Sequence, residues 1–297
     1  MGAGKIAFAT TVNLVGNRSA KSRSCGAEAG LVKWCYTASH LERLPYFAAE
    51  GLVLTNEVAY VQSHCRTSPR PRVRRFDERL TRAVLAYSER FARSLGKNKT
   101  KPLGGVGIAA LFKWQLVGLT EYRAILATDL DVDLFLHTAG VPPPPHTHAG
   151  ARVRLALGER VAAFLASPST ELLAAGDVHA PINTAFMLLK PNASTYRRGL
   201  RLLRQATWSY ALGHDGGGAR YGTPRALIPW GALPRRKAAA INRSRMLGFD
   251  TWRFVASEGD QGLFAQVQRH VSVSHLVSHA SHIHYASYRP SLPYVYL

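Results

Sequence analysis

Residues 113–135 read KWQLVGLTEYRAILATDLDVDLF. A short apolar run, Ala124 to Ala127, ends abruptly in Thr128-Asp129-Leu130-Asp131-Val132-Asp133. A brief apolar run bounded by polar residues predicts a buried strand, and in open α/β sheets ligands gather at the carboxyl ends of strands. Two carboxylates one residue apart at such an end, Asp129 and Asp131, offer the hard oxygen donors that suit Mn²⁺ or Mg²⁺. An ion held there neutralises a diphosphate and lowers the cost of expelling it. Spacing alone favours a solvated acidic turn, or a helix start favouring carboxylates, over a metal site.

Working outward, Lys5 to Val15 reads as a buried first strand, and Leu31 to Tyr36 and Gly51 to Val61 as short apolar, β-branched runs. The Arg/Pro-rich stretch RTSPRPRVRR, Arg66 to Arg75, predicts an exposed loop. Phe76 to Leu95 carries Leu80, Val84, Leu85, Ala92 and Leu95 at helical spacing, and Ile108 to Leu119 reads as a helix leading into the acidic strand. Pro142 to Pro145 mark a loop at mid-chain. Then come a helix at Gly158 to Ala166, a strand at Thr184 to Leu189 and a helix at Ser194 to Thr207. A Gly-rich loop, a Pro-bounded strand (RALIPWGALP), a helix at Gln261 to Val273 and a His-rich tail close the chain. Alternating strands and helices predict an α/β fold with a mainly parallel central sheet flanked by helices.

The 297 residues are 46% hydrophobic and 19% charged, a globular composition with ample core. A formal net charge of +20 attracts phosphates, nucleic acid or anionic glycans. No RNP-like, zinc-finger or helix-turn-helix signal accompanies it, so a basic nucleic-acid-binding protein is the alternative rather than the first reading. Gly2-Ala-Gly4-Lys5 and the Gly104 to Gly107 turn lack the spacing and Ser/Thr of a phosphate loop. Three cysteines, Cys25, Cys35 and Cys65, without CxxC spacing predict unpaired thiols. A single Cys25–Cys35 or Cys35–Cys65 bridge is the alternative. No apolar run is long enough to span a membrane and no signal peptide is evident. Those features favour a cytoplasmic protein, with the Golgi lumen the alternative if the chain is a fragment. Asn17, Asn98, Asn192 and Asn242 each open an N-glycosylation triplet.

Four ordered blocks resemble glycosyltransferase family 8, which includes glycogenin, galactinol synthase and lipopolysaccharide galactosyltransferases. The first is Lys113, Leu119, Tyr122, Asp129 and Asp131, spaced as in the family. The second, Asn183-Thr184-Ala185 through Pro191, is similar to its Phe-Asn-Ser-Gly segment, with Ile182 and Ala185 in place of Phe and Gly. The third, Glu258-Gly259-Asp260-Gln261-Gly262, is similar to its Gly-Gly-Asp-Gln-Gly. The fourth, His282-Ile283-His284 through Pro290, resembles its His-rich terminus, though neither His keeps the family interval and Tyr294 stands where a Trp is usual.

The resemblance implies one GT-A type, Rossmann-like domain over residues 1–297, with a nucleotide-sugar half (1–135) and an acceptor half with a metal-binding tail (136–297). It implies a retaining hexosyltransferase moving a sugar from a UDP-sugar to a carbohydrate or other hydroxyl acceptor. Asp129, Asp131 and His284, favoured over His282, would hold Mn²⁺ or Mg²⁺. Lys113 would act as a mobile cation on the donor diphosphate. Asn183, Asp260 and Gln261 would face the transferred sugar, and Thr10 and Thr11, from their place at the end of the first strand, would line the nucleotide. Lys113, Asp260 and Gln261 are the catalytic candidates. Asp133 has no family counterpart. A catalytically inactive family member is the remaining reading, opposed by the intact Asp129-Leu-Asp131.

Overall fold

A computed structural model of the chain describes residues 4–13, 25–42, 49–94, 109–130, 132, 158–175, 183–205, 208–209, 213–214, 260–267 and 271–272. At its centre lies β1 (Lys5–Val12), whose residues Ala7 to Thr10 are all buried. It pairs in parallel with β2 (Ala49–Thr55) on one side and β4 (Tyr122–Thr128) on the other, so that Ala9 faces both Leu52 and Ala127. Parallel neighbours need crossovers. These are α1 (Cys25–Leu41) between β1 and β2, and α2 (Val58–His64) between β2 and the edge strand β3 (Arg72–Arg75). The third crossover is α3 (Glu78–Ser94) followed by a 3₁₀ helix (Leu111–Gly118) leading to β4.

Beyond β4 the sheet changes sense. After the helix α4 (158–166) and the strand β5 (Leu172–Ala175), β6 (Asn183–Leu189) inserts antiparallel between β4 and β5. The helix α5 (Ala193–Gln205) and a small pair, β7 (Trp208–Ser209) and β8 (Gly213–His214), follow. Then come α6 (Asp260–Val267) and β9 (Val271–Ser272), the latter parallel to β5. The seven-stranded order is β3-β2-β1-β4-β6-β5-β9. The expected α/β architecture, with a mainly parallel sheet and a Rossmann-like first half, is what the chain forms.

Alternate strand residues feed two apolar layers, as the period of two requires. Ala7, Ala9, Leu52, Leu54, Ile125 and Ala127 join α3, the 3₁₀ helix, α5 and α6. Phe8, Val53, Ala124 and Leu126 join α1 and α4. The 3₁₀ helix is buried from Leu111 to Val117. Its Trp114 packs against Gly199 of α5 so closely that a Cβ on Gly199 would stand 2.1 Å from the indole Cε2.

Five local expectations change. Leu31 to Tyr36 is not extended but lies inside α1, because Leu31, Trp34, Cys35, Ala38 and Leu41 bury one helical stripe. The apolar run from Gly51 splits into β2 and α2. Arg72 to Arg75 is a strand rather than loop: ladder bonds come from the backbone, and a sheet edge leaves room for arginine side chains. Leu85, expected in the core, is 57% exposed while Ala83, Val84 and Tyr87 are buried. The last helix stops at Val267, and Val271 belongs to β9. The RALIPWGALP segment lies outside the described residues.

The expectation of unpaired thiols is also corrected. Cys35 of α1 and Cys65, just past α2, form a disulfide with Cα atoms 5.6 Å apart, and both are buried. Its sequence separation of 30 removes loop entropy from the unfolded chain equivalent to about 3.6 kcal/mol on a chain-entropy estimate. Among the described residues no helix is long and apolar enough to cross a membrane.

Candidate functional site

The chain leaves β1 to build β2 and β3 on one side, then returns to build β4 on the other. The carboxyl ends of β1 and β4 thus flank the switch point where open α/β sheets bind ligands. Asp129 follows β4 directly. Because β6 runs antiparallel, its first residues, Asn183 and Thr184, arrive beside this end, and the Asp129 amide donates to the Ala185 carbonyl at 2.8 Å. The first residue of α6, Asp260, reaches the same place.

Lys113 ties these elements together. Its Nζ lies 2.6 Å from Asp129 Oδ1 and 3.1 Å from Asp260 Oδ2, and 3.4 Å from the Thr184 carbonyl. The Thr184 hydroxyl donates to Asp260 Oδ2. The side chains of Lys113 and Asp260 are 8% and 7% exposed, whereas Asp129 keeps 35%, so the cluster is closed from below and open to solvent at Asp129. Burial opposes the charge on Lys113, but the Asp260 and Asp129 carboxylates outweigh it and hold its pKa above the ordinary lysine range. Two carboxylates against one ammonium leave the cluster formally at −1, an environment that favours a further cation.

The sequence-predicted residues fall as follows. Lys113, Asp129, Asn183 and Asp260 come together. Lys113 is buried here and paired with Asp129 and Asp260 rather than snorkelling to solvent. Asp260 starts a helix, yet its carboxylate faces Lys113 and Thr184. The Asn183 side-chain oxygen accepts from the Ala185 amide at 2.8 Å, shaping the entry into β6. Gln261, half-buried, follows Asp260 on α6. Thr10 is buried and its hydroxyl donates to the Thr128 carbonyl at 2.8 Å, while Thr11 is half-buried near the end of β1. Asp131, Asp133, His282 and His284 lie outside the described residues. Among the described residues no group of three or more His, Cys, Asp or Glu could hold a metal ion. Asp129, a partly exposed hard oxygen donor at a strand end, fits the first position of a Mg²⁺ or Mn²⁺ site.

Three residues escaped the sequence reading as site components. Thr184 is a polar side chain at a buried register position of an apolar strand, a signal visible in the alternation of β6. Asn13, just past the end of β1, has a buried amide nitrogen with no hydrogen-bond partner among the described residues. Trp34 donates from Nε1 to Thr128 Oγ1 at 2.9 Å, and nothing in its helical surroundings announces that.

No protein-family model and no curated protein matches the chain. Among solved structures, the chain is similar to the apo form of mouse xyloside xylosyltransferase 1, with a TM-score of 0.41 and 10% sequence identity, covering 89% of this chain and 81% of that one.

Proposed function

We propose that the protein is a metal-dependent, retaining hexosyltransferase that takes a sugar from a UDP-sugar to a hydroxyl acceptor. The observation that supports this most is the convergence of Lys113 and Asp129, from the first resembling block, with Asp260, from the third, at one end of the sheet. Asp129, with Asp131 and His284, would hold Mn²⁺ or Mg²⁺, which would neutralise the donor diphosphate. Lys113 would move from Asp129 towards the diphosphate and stabilise charge that grows only as the glycosidic bond breaks, where rate is gained. Asp260, held by Thr184, would accept a hydrogen bond from a sugar hydroxyl beside Gln261 rather than attack the anomeric carbon. The departing diphosphate then takes the acceptor proton on the same face, giving retention without a glycosyl-enzyme. Thr11 and Asn13, at the end of β1, would border the nucleotide. The disulfide, a bond that persists in oxidising compartments, supports the lumenal setting over the cytoplasmic one.

The test is a panel of UDP-sugars assayed for hydrolysis with and without Mn²⁺, with product configuration read by NMR. At least one donor should turn over only with metal and give the α-anomer first. Asp129→Asn should lose at least about a hundredfold, since an ion contributes several kcal/mol of charge stabilisation. A panel without turnover, or a β-configured first product, would refute the proposal.

A further inference from the structure

Thr128, the last residue of β4, is gripped from two sides. Its carbonyl accepts the Thr10 hydroxyl at 2.8 Å, and its own hydroxyl accepts Trp34 Nε1–H at 2.9 Å. Trp34 is itself fixed: it is buried, and its ring stacks on Phe8 of β1 with centroids 4.7 Å apart and planes 8° from parallel. One turn earlier on α1, Gly30 lies against the turn after β4, where an added Cβ would stand 3.1 Å from the Leu130 carbonyl oxygen. The helix α1 is therefore the floor on which residues 128–130 rest.

What fastens that floor is the residue after Trp34. Cys35 is bonded to Cys65 at the end of α2, and both sulfurs are buried. A second tie between the two helices, Glu28 to His64 at 3.1 Å, is half-exposed and correspondingly weak. We propose that Trp34 is a positioning residue for the acidic turn, and that the Cys35–Cys65 bridge keeps Trp34 in place, so that order at Asp129 depends on the bridge. The path runs from bridge to α1, to the indole N–H, to Thr128, to the carboxylate that follows. It uses no property of the proposed reaction, and its test needs no substrate.

The test is hydrogen exchange followed by mass spectrometry on the full chain. The reporter is the Asp129 amide, which is bonded to the Ala185 carbonyl. Residues 78–94 of α3, in the opposite apolar layer, report global integrity. Trp34→Phe keeps an aromatic ring for Phe8 and removes the donor; Thr128→Val removes the acceptor at nearly constant shape. Each should raise exchange at Asp129 about tenfold, a loss of roughly one hydrogen bond's net contribution, with α3 unchanged. The two together should do no more than either alone. The Cys35→Ala/Cys65→Ala chain should raise exchange at Asp129 at least as much. If that chain loses protection throughout, the native chain is reduced instead with a water-soluble phosphine. The phosphine cleaves the S–S bond with one water, leaving two thiols and the phosphine oxide, and Asp129 should then open before α3. Wild-type exchange at Asp129 in Trp34→Phe would overturn the positioning role. Wild-type exchange after loss of the bridge, or simultaneous opening of Asp129 and α3 on reduction, would overturn the role of the bridge.

Discussion

Lys113→Met tests the centre of the site without any ligand. Methionine keeps the length of the side chain and removes the ammonium that sits 2.6 Å from Asp129 and 3.1 Å from Asp260. Removing one partner of a buried pair costs about 3–5 kcal/mol, because the other charge is left without compensation. Asp129 is 35% exposed and water screens it, so the stranded charge is that of Asp260, which retains the Thr184 hydrogen bond. That places the expected loss near the lower end, about 3 kcal/mol. With an unfolding entropy of about 2.1 cal/mol/K per residue, 297 residues give roughly 0.6 kcal/mol/K, and Tm should fall by about 5 °C. The pH dependence has a definite sign. The folded pKa of Lys113 is raised, so its contribution is complete below the unfolded lysine value of about 10.4 and is lost only as pH rises through the folded value. Between pH 5 and 9 the native chain should show no change from this group. Calorimetry at pH 8 checks the loss, with Lys113→Met/Asp260→Asn as the second arm; the double variant should regain most of it. A variant within about 0.5 kcal/mol of the native chain at pH 8, or no recovery in the double variant, would refute the ion-pair argument.

Two packing predictions follow. Gly199→Ala drives a methyl to within 2.1 Å of the Trp114 ring, and both partners are hemmed in, so urea unfolding should show a loss of about 3 kcal/mol or more. Asn192→Ala removes the oxygen that accepts from the Ser194 and Thr195 amides at 2.9 and 3.2 Å, and the start of α5 should lose about 1 kcal/mol in the same assay.

The parallel half was legible because its signals are local. Lys5–Val12 and Tyr122–Thr128 are apolar runs of strand length with polar ends, and Asp129 stands at the end that α/β sheets use. What failed was reading windows too short for the period involved. Leu31 to Tyr36 looks extended over six residues and helical only once Ala38 and Leu41 are counted with it. The edge strand Arg72–Arg75 was invisible because its side chains report solvent while its backbone reports pairing with β2. Asp260 was named from its block, but no sequence pattern links it to Lys113, 147 positions away (260 − 113). Their meeting depends on α6 packing against the 3₁₀ helix, where Phe264 stands edge-on to Trp114. The disulfide was one of two pairings left open; spacing cannot choose between them, and the packing of α1 on α2 does.

The three charged groups of the cluster leave the ribosome at different times. Lys113 and Asp129 emerge together, and Asp260 follows 131 residues later (260 − 129). At about 5–20 residues per second, that is an interval of roughly 7 to 26 s. Through it, Lys113 and Asp129 balance to zero, and a nascent parallel sheet can close over a lysine that already has its counter-charge. Only the arrival of Asp260 brings the cluster to −1. The second carboxylate against Lys113 is thus a property of the finished polypeptide: a chain stopped before α6 leaves the buried ammonium with Asp129 and without Asp260.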